Sequence, residues 1–219
     1  MPHDVITPNL LLQAYSSGVF PMAEGRKDSE LFWVDPEERG IIPLTHFHIP
    51  RSLAKRVRQD AYTVTANKAF QKVVGACSMP ARGRETTWIS ERIEMLYTDL
   101  HKRGFAHSVE TWSDGKLAGG LYGVSLGGAF FGESMFSAKT DASKVALVHL
   151  VARLKVGGYK LLDTQFITDH LKQFGALEIH RNEYHARLRD ALQIQDANFD
   201  QLDPLTDGST VLQLITQTS

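Results

Sequence analysis

Between Gly119 and Gly132 the chain places six of its 17 glycines inside a run that otherwise reads as β-structure. Three short strands are predicted there, 107–112, 117–124 and 129–133, separated by the turn-forming Ser113-Asp114-Gly115 and Leu126-Gly127-Gly128, so this part is an antiparallel meander. Glycine weakens a strand because it offers no side chain to pack, and a cluster at the centre of a sheet therefore asks for a reason. Strand alternation puts Gly119, Leu121 and Gly123 on one face and Gly120, Tyr122 and Val124 on the other. The bare backbone leaves room for a bulky group beside Leu121, which points to a pocket; close helix-on-sheet packing is the other reading.

Around this meander the pattern alternates between helix and strand. Thr7 reads as an N-cap, Pro8 as the first helical residue, Leu11, Leu12 and Tyr15 as an apolar patch and Gly18 as the stop. The aromatic run from Val19 to Leu44 carries Pro21, Pro36 and Pro43, which predicts loops for Phe20, Phe32 and Trp33. Ile89, Ile93, Leu96 and Leu100 recur at helical spacing before Gly104. Asp141 is placed to cap a helix with Val145, Val148, Val151 and Leu154 on its apolar face, ended by Gly157-Gly158. A strand 159–162, a short helix ending at Phe174, a strand near 177–179 and a helix 183–192 complete an α+β fold, a mixed sheet flanked by helices. The texture changes near residues 60 and 192, predicting a small N-terminal α+β domain over 1–60, a main domain over 61–192 and a polar C-terminal extension over 193–219.

Composition excludes several classes of function. At 219 residues, 42% hydrophobic and 22% charged, the chain carries a sizeable core. No stretch approaches the ~18 consecutive apolar residues of a membrane helix. The opening MPHDVITPNL lacks the order of a secretion signal, so a cytoplasmic location is expected. Cys77 is the single cysteine, which leaves no internal disulfide and no thiolate zinc site. His46 and His48 lack a third ligand at a suggestive spacing, so no metal is assigned; the glycine doublets fit neither a phosphate loop nor a dinucleotide turn, and ATP and NAD are not indicated. A formal net charge of −1 means that the protein as a whole does not attract nucleic acid. Local clustering differs: Arg51, Lys55, Arg56 and Arg58 fall within an acid-free stretch, with 51, 55 and 58 spaced to share a helix face, either a solvated surface or a phosphate-binding stripe.

Carboxylates at strand ends mark the candidate chemistry. Glu133 follows the third meander strand and opens Glu133-Ser134-Met135-Phe136-Ser137; Asp163 and Gln165 follow the strand of the next β-α-β unit. Such strand ends lie near one another, so Glu133, Asp163 and Gln165 are placed to converge.

These residues, together with Thr87-Trp88-Ile89, Ala106-His107-Ser108-Val109-Glu110, Gly119-Gly120-Leu121-Tyr122-Gly123-Val124 and Phe20-Pro21-Met22, resemble the bacterial leucyl/phenylalanyl-tRNA-protein transferases over about residues 8–192. The resemblance implies a GNAT-like acyltransferase domain behind a smaller N-terminal domain. It implies transfer of Leu or Phe, and less readily Met, from aminoacyl-tRNA to the α-amino group of proteins beginning with Arg or Lys, marking them for degradation by the N-end rule. No cofactor is implied, and the chain is expected to act as a monomer. Carried over residue by residue, the catalytic positions are Asp163, Gln165 and Glu133. The aminoacyl pocket is Leu121, Phe130, Leu147, Leu150 and Leu162, the adenosine platform Trp33 and Trp88, and the tRNA contact Arg51, Lys55, Arg56 and Arg58. Two rivals are an acyl-coenzyme A dependent N-acyltransferase, disfavoured by the lack of glycine in 133–140, and a non-catalytic tRNA-binding module, which leaves Asp163 and Gln165 without a task.

Overall fold

The computed structural model describes residues 6–27, 30–80 and 87–217; the first half of the opening stretch MPHDVITPNL, residues 1–5, lies outside them. Helix α1 (Pro8–Ser16) starts where expected, with the Thr7 hydroxyl accepting from Leu10 N, and the chain leaves it through Gly18 at φ +80°. Strands β1 (Phe20–Met22) and β2 (Phe32–Val34) then pair antiparallel as a separate ribbon, so Phe20, Phe32 and Trp33 are not on loops. Each strand of a two-stranded ribbon has an open edge toward which a proline turns its missing N–H, and Pro21 sits within β1 opposite Trp33.

In chain order follow β3 (Glu38–Ile41), α2 (Arg51–Arg58), β4 (Thr63–Ala66), α3 (Phe70–Ser78), α4 (Glu91–Lys102), β5 (Ala106–Ser113), β6 (Lys116–Leu126) and β7 (Ala129–Ser137). Then come α5 (Ala142–Val156), β8 (Leu161–Gln165), α6 (Asp169–Lys172), β9 (Leu177–His180), α7 (Arg181–Leu192) and α8 (Gly208–Thr216). Seven strands form one mixed sheet in the order β4-β5-β6-β7-β8-β3-β9, antiparallel throughout except for the parallel pair β7-β8. Strand β3, from the segment expected to form its own domain, is built into this sheet between β8 and β9. The sheet therefore carries no division at residue 60.

Alternation along the strands feeds two cores. Leu121, Phe130 and Leu162 join Leu53 and Val57 of α2 and the buried residues of α5 and α8 on one face. Tyr122, Phe131 and Leu161 join α1, α3, α4 and α7 on the other. Helix α5 is buried nearly all round, far beyond the single stripe the sequence spacing predicts, because α8 covers the side turned away from the sheet. The extension that reads as polar is thus part of the core: Phe199, Leu202, Val211, Leu212 and Ile215 are all buried. Asp141 precedes α5 in left-handed conformation (φ 62°) and makes no side-chain cap, pairing instead with Arg56 and Lys144.

Most of the six meander glycines serve packing. A Cβ on Gly119 would stand 2.6 Å from Ala142 Cβ and 2.9 Å from Ser143 N at the start of α5, while Gly127 and Gly128 lie against the end of α7 and Ile194. The close-packing reading therefore accounts for these glycines. A Gly119→Ala substitution is expected to destabilise the fold by about 1–3 kcal/mol, the range for overpacking a close interface. Urea unfolding with an unchanged slope measures it.

Candidate active site

The site forms where the sheet parts. Strands β7 and β8 pair only from Ala129↔Leu161 to Phe131↔Asp163, after which β7 stays with β6 and β8 with β3. Just beyond the last pair, β7 carries a bulge: Tyr122 lies opposite Ser134 and Gly123 opposite Gly132, leaving Glu133 as the extra residue. A bulge redirects a side chain, and here it presents a carboxylate at the split. Glu133 was expected at a strand end; β7 runs on to Ser137, so it is the bulge rather than the terminus that exposes it.

A cavity of about 330 Å³ opens at this point. Leu121, Leu147, Leu150 and Leu162 line it from the α5 side, and Trp88, Phe20 and Met22 from the ribbon side. Glu133 and Gln165 complete the polar part of its wall, and Thr164 adds a hydroxyl that is buried without a hydrogen-bond partner. Of the six meander glycines only Gly132 lines this space, so the cavity exists beside Leu121 but is made by the parting of strands.

Two expected residues lie elsewhere. Phe130 is fully buried against the C-terminal segment, its ring stacked 5.6 Å from Phe199, because strand alternation directs it under α5 but away from the split. Trp33 is 39% exposed on β2 and does not line the cavity; Phe20 and Met22 of the paired strand β1 do. Helix α2 holds Arg51, Lys55 and Arg58 exposed on its outer surface, with Arg56 turned toward Asp141 at 3.3 Å.

Glu133 is held by two phenols. Tyr15 of α1 donates to Oε1 at 2.7 Å and Tyr97 of α4 to Oε2 at 2.8 Å; the two hydroxyls also lie within reach of each other, where either could donate only in place of its bond to the carboxylate. Gln165 Nε2 donates to Oε1 at 3.2 Å. Burial pushes the Glu133 carboxyl up to about 7 against the two tyrosine hydrogen bonds, which pull it down. Both phenols are pushed well above their ordinary value, first by burial and then by the adjacent carboxylate, and so stay protonated donors.

Asp163 occupies a different position from the one expected of a reacting group. It is 0% exposed and does not line the cavity. Arg39, itself 1% exposed, grips it with Nε at 3.0 Å from Oδ1 and Nη2 at 2.6 Å from Oδ2. Tyr184 donates to Oδ2 at 2.8 Å and the Gln165 amide to Oδ1 at 2.8 Å. With every favourable acceptor direction engaged, Asp163 holds the backbone of Gln165, which stands at φ +57°. Gly40 of β3 makes room for this turn, since a Cβ there would stand 2.8 Å from Phe166 C. The Arg39 guanidinium also donates to Gly18 O at 2.8 Å and lies over the rings of Phe20 and Tyr184.

Sequence reading missed Tyr97, Arg39 and Tyr184 and took Tyr15 for apolar packing. Tyr97 stands four residues after Ile93 on the helical stripe, where a hydroxyl among aliphatic positions was the available signal.

A mixed sheet that parts between two parallel strands, with a half-buried carboxylate of near-neutral affinity on the wall of an apolar cavity, defines a site able to take a proton from a nucleophile beside a bound apolar group. Two family profiles match the chain: Leucyl/phenylalanyl-tRNA protein transferase over residues 41–189 and the N-terminal domain of the same transferase over residues 4–37. A leucyl/phenylalanyl-tRNA--protein transferase of Maricaulis maris is 61% identical over 95% of this chain and 96% of its own length. One from Rhodopseudomonas palustris is 59% identical over 96% and 94%. A solved structure of L-PGS from Bacillus licheniformis aligns at 16% identity with a TM-score of 0.39, over 74% of this chain and 54% of that one, too loosely to inform the site. The chain belongs to the leucyl/phenylalanyl-tRNA-protein transferase family of aminoacyltransferases.

Removing one partner of a buried ion pair leaves the other uncompensated, so Arg39→Met is expected to cost about 3–5 kcal/mol. Chemical denaturation measures this. Retention of wild-type stability would show that Asp163 does not depend on the guanidinium.

Proposed function

We propose that the protein moves Leu or Phe, and less readily Met, from aminoacyl-tRNA to the N-terminal α-amino group of proteins beginning with Arg or Lys, on a GNAT-type fold whose split strands are β7 and β8. Supporting this reading is the position of Glu133, a proton acceptor of matched affinity set on the wall of an apolar cavity with Gln165 at 3.2 Å.

An aminoacyl ester is already activated, and an α-amino group with a pKa near ~8 is partly neutral at cytoplasmic pH. The protein has to align amine and ester and to manage one proton. In this reading the donor side chain enters between Leu121, Leu147, Leu150 and Leu162, and the terminal adenine stacks on Trp88. The Gln165 amide orients the incoming amine, with its backbone held by Asp163 and Arg39. As nitrogen bonds to the ester carbon, Glu133 takes its proton. When the carbon–oxygen bond to the ribose breaks, the same carboxyl returns a proton to the departing oxygen. Arg51, Lys55 and Arg58 contact phosphates of the tRNA body without reading sequence, which suits a donor drawn from several tRNA species. Every group invoked belongs to one chain, so a monomer suffices, and charged tRNA places the reaction in the cytoplasm. Among the described residues no helix is long and apolar enough to cross a membrane.

Purified protein incubated with labelled Leu-tRNA is expected to transfer label to a protein beginning with Arg and not to one beginning with Ala. Label on neither would overturn the reading. With saturating donor, kcat/KM for the acceptor should rise with pH through two limbs, one near 7 for Glu133 losing its proton and one near ~8 for the acceptor amine. Glu133→Gln is expected to lower kcat by about 10²-fold or more and to remove the lower limb alone. A profile in Glu133→Gln that keeps both limbs would take the base role away from this residue.

A further inference from the structure

Beside the apolar cavity lies a second, polar one of about 580 Å³; the two share Met135 and His170. Its wall includes Ser137, Lys139, Ser143, Lys144 and His170, with Asp141 as the one acid. Helix α5, 15 residues long, begins at this wall and brings the partial positive charge of a helix start to it, with Ala142 N bonded to Lys139 O and Ser143 N to the Ser137 hydroxyl.

Three further observations point to an anionic ligand. Ser143 is 5% exposed and lines the cavity, yet its hydroxyl makes no hydrogen bond among the described residues. His170 Nε2 is buried and also without a partner. Asp141 is drawn aside by two cations, Lys144 at 3.1 Å and Arg56 at 3.3 Å, and Lys139 reaches outward to the exposed Asp114 at 3.2 Å. The wall therefore offers the Ser143 hydroxyl as an unused donor and two lysines against one acid, in a space that meets the main cavity at Met135 and His170.

The direction of this space identifies the ligand further. Arg56 bridges to it from α2, and Tyr62, just after α2, donates to Thr140 O at 2.7 Å. The Arg56–Asp141 contact thus ties the wall of the polar cavity to the helix that carries the exposed Arg51, Lys55 and Arg58. A polyanion anchored by its terminal residue in the first cavity would pass its first internucleotide phosphate through the second.

We infer that the polar cavity binds the phosphodiester joining the donor's terminal nucleotide to its neighbour, with Ser143, Lys139, Lys144 and the start of α5 as its contacts. The inference rests on the aminoacyl-transfer reading, and the test separates the two. Transfer of Phe by the full chain is measured from two minimal donors, phenylalanyl esters of cytidylyl-adenosine with either an ordinary phosphodiester or an uncharged methylphosphonate link. The wild type is expected to prefer the charged link by about tenfold in kcat/KM, the size of a charge-assisted hydrogen bond. In Lys139→Gln/Lys144→Gln that preference is expected to fall to within about twofold, and in Ser143→Ala to fall partway, with melting temperatures checking that the variants fold. Equal use of both donors by the wild type, or a preference that survives the double substitution, overturns the proposal. Transfer from neither donor, with none from charged Phe-tRNA either, overturns the aminoacyl-transfer reading instead. Calorimetric binding of the two unacylated dinucleotides then decides the subsite by the same ratio.

Discussion

The buried pair of Arg39 and Asp163 is the contact on which the site depends. It joins β3 to β8 in a region where neither side chain reaches water, and it reaches on to Gly18 at the end of α1 and Tyr184 of α7. Two charges removed from water are stable only when their remaining donors and acceptors are met, and here they are. The result is a rigid block that fixes the Gln165 backbone in left-handed conformation and the ribbon strand β1 over the guanidinium. Asp163 thereby shapes the polar wall of the cavity without lining it.

A second constraint is the brevity of the β7-β8 pairing. Three residue pairs hold the two strands together before they separate, and the bulge at Glu133 falls two residues beyond Phe131, the last of β7 to pair. Opening a sheet in this way would leave backbone groups exposed to an apolar interior. The space is instead edged by Glu133, Gln165 and Thr164. The phenols of Tyr15 and Tyr97 come from α1 and α4, far apart in sequence, and hold the carboxylate so that burial, rather than a neighbouring charge, dominates its affinity for a proton.

The C-terminal segment completes both arrangements. Phe199 stacks on Phe130 and His107, Arg153 donates to Phe199 O and Leu202 O, and α8 packs on α5 and α2. Gly208 N bonds Asp60 Oδ1 just beyond the basic helix, so the tail ties α2 to the rest of the fold. A segment whose sequence is mostly polar thus sets where the basic stripe stands relative to the cavity.

Local pattern alone determined the elements that obey local rules: the Thr7 cap of α1, the three-strand meander, the helix ended by Gly104 and the basic face of α2. It also singled out Glu133 and Gln165, because polar residues at the ends of apolar strands are visible as spacing, whereas Leu147, Leu150 and Leu162 came from the family resemblance. Hydrophobic period carries no information about which strand neighbours which, so only the tertiary structure decided that β3 enters the main sheet, that Phe20 and Met22 rather than Trp33 edge the cavity, and that Phe130 turns away. Nor does spacing reveal pairs separated by more than a hundred residues: Arg39 with Asp163, and Tyr15 with Glu133, meet through the packing of helices onto a shared sheet. The chemistry of each side chain is written in the sequence, but its protonation and its partner are set by burial, which belongs to the folded chain as a whole.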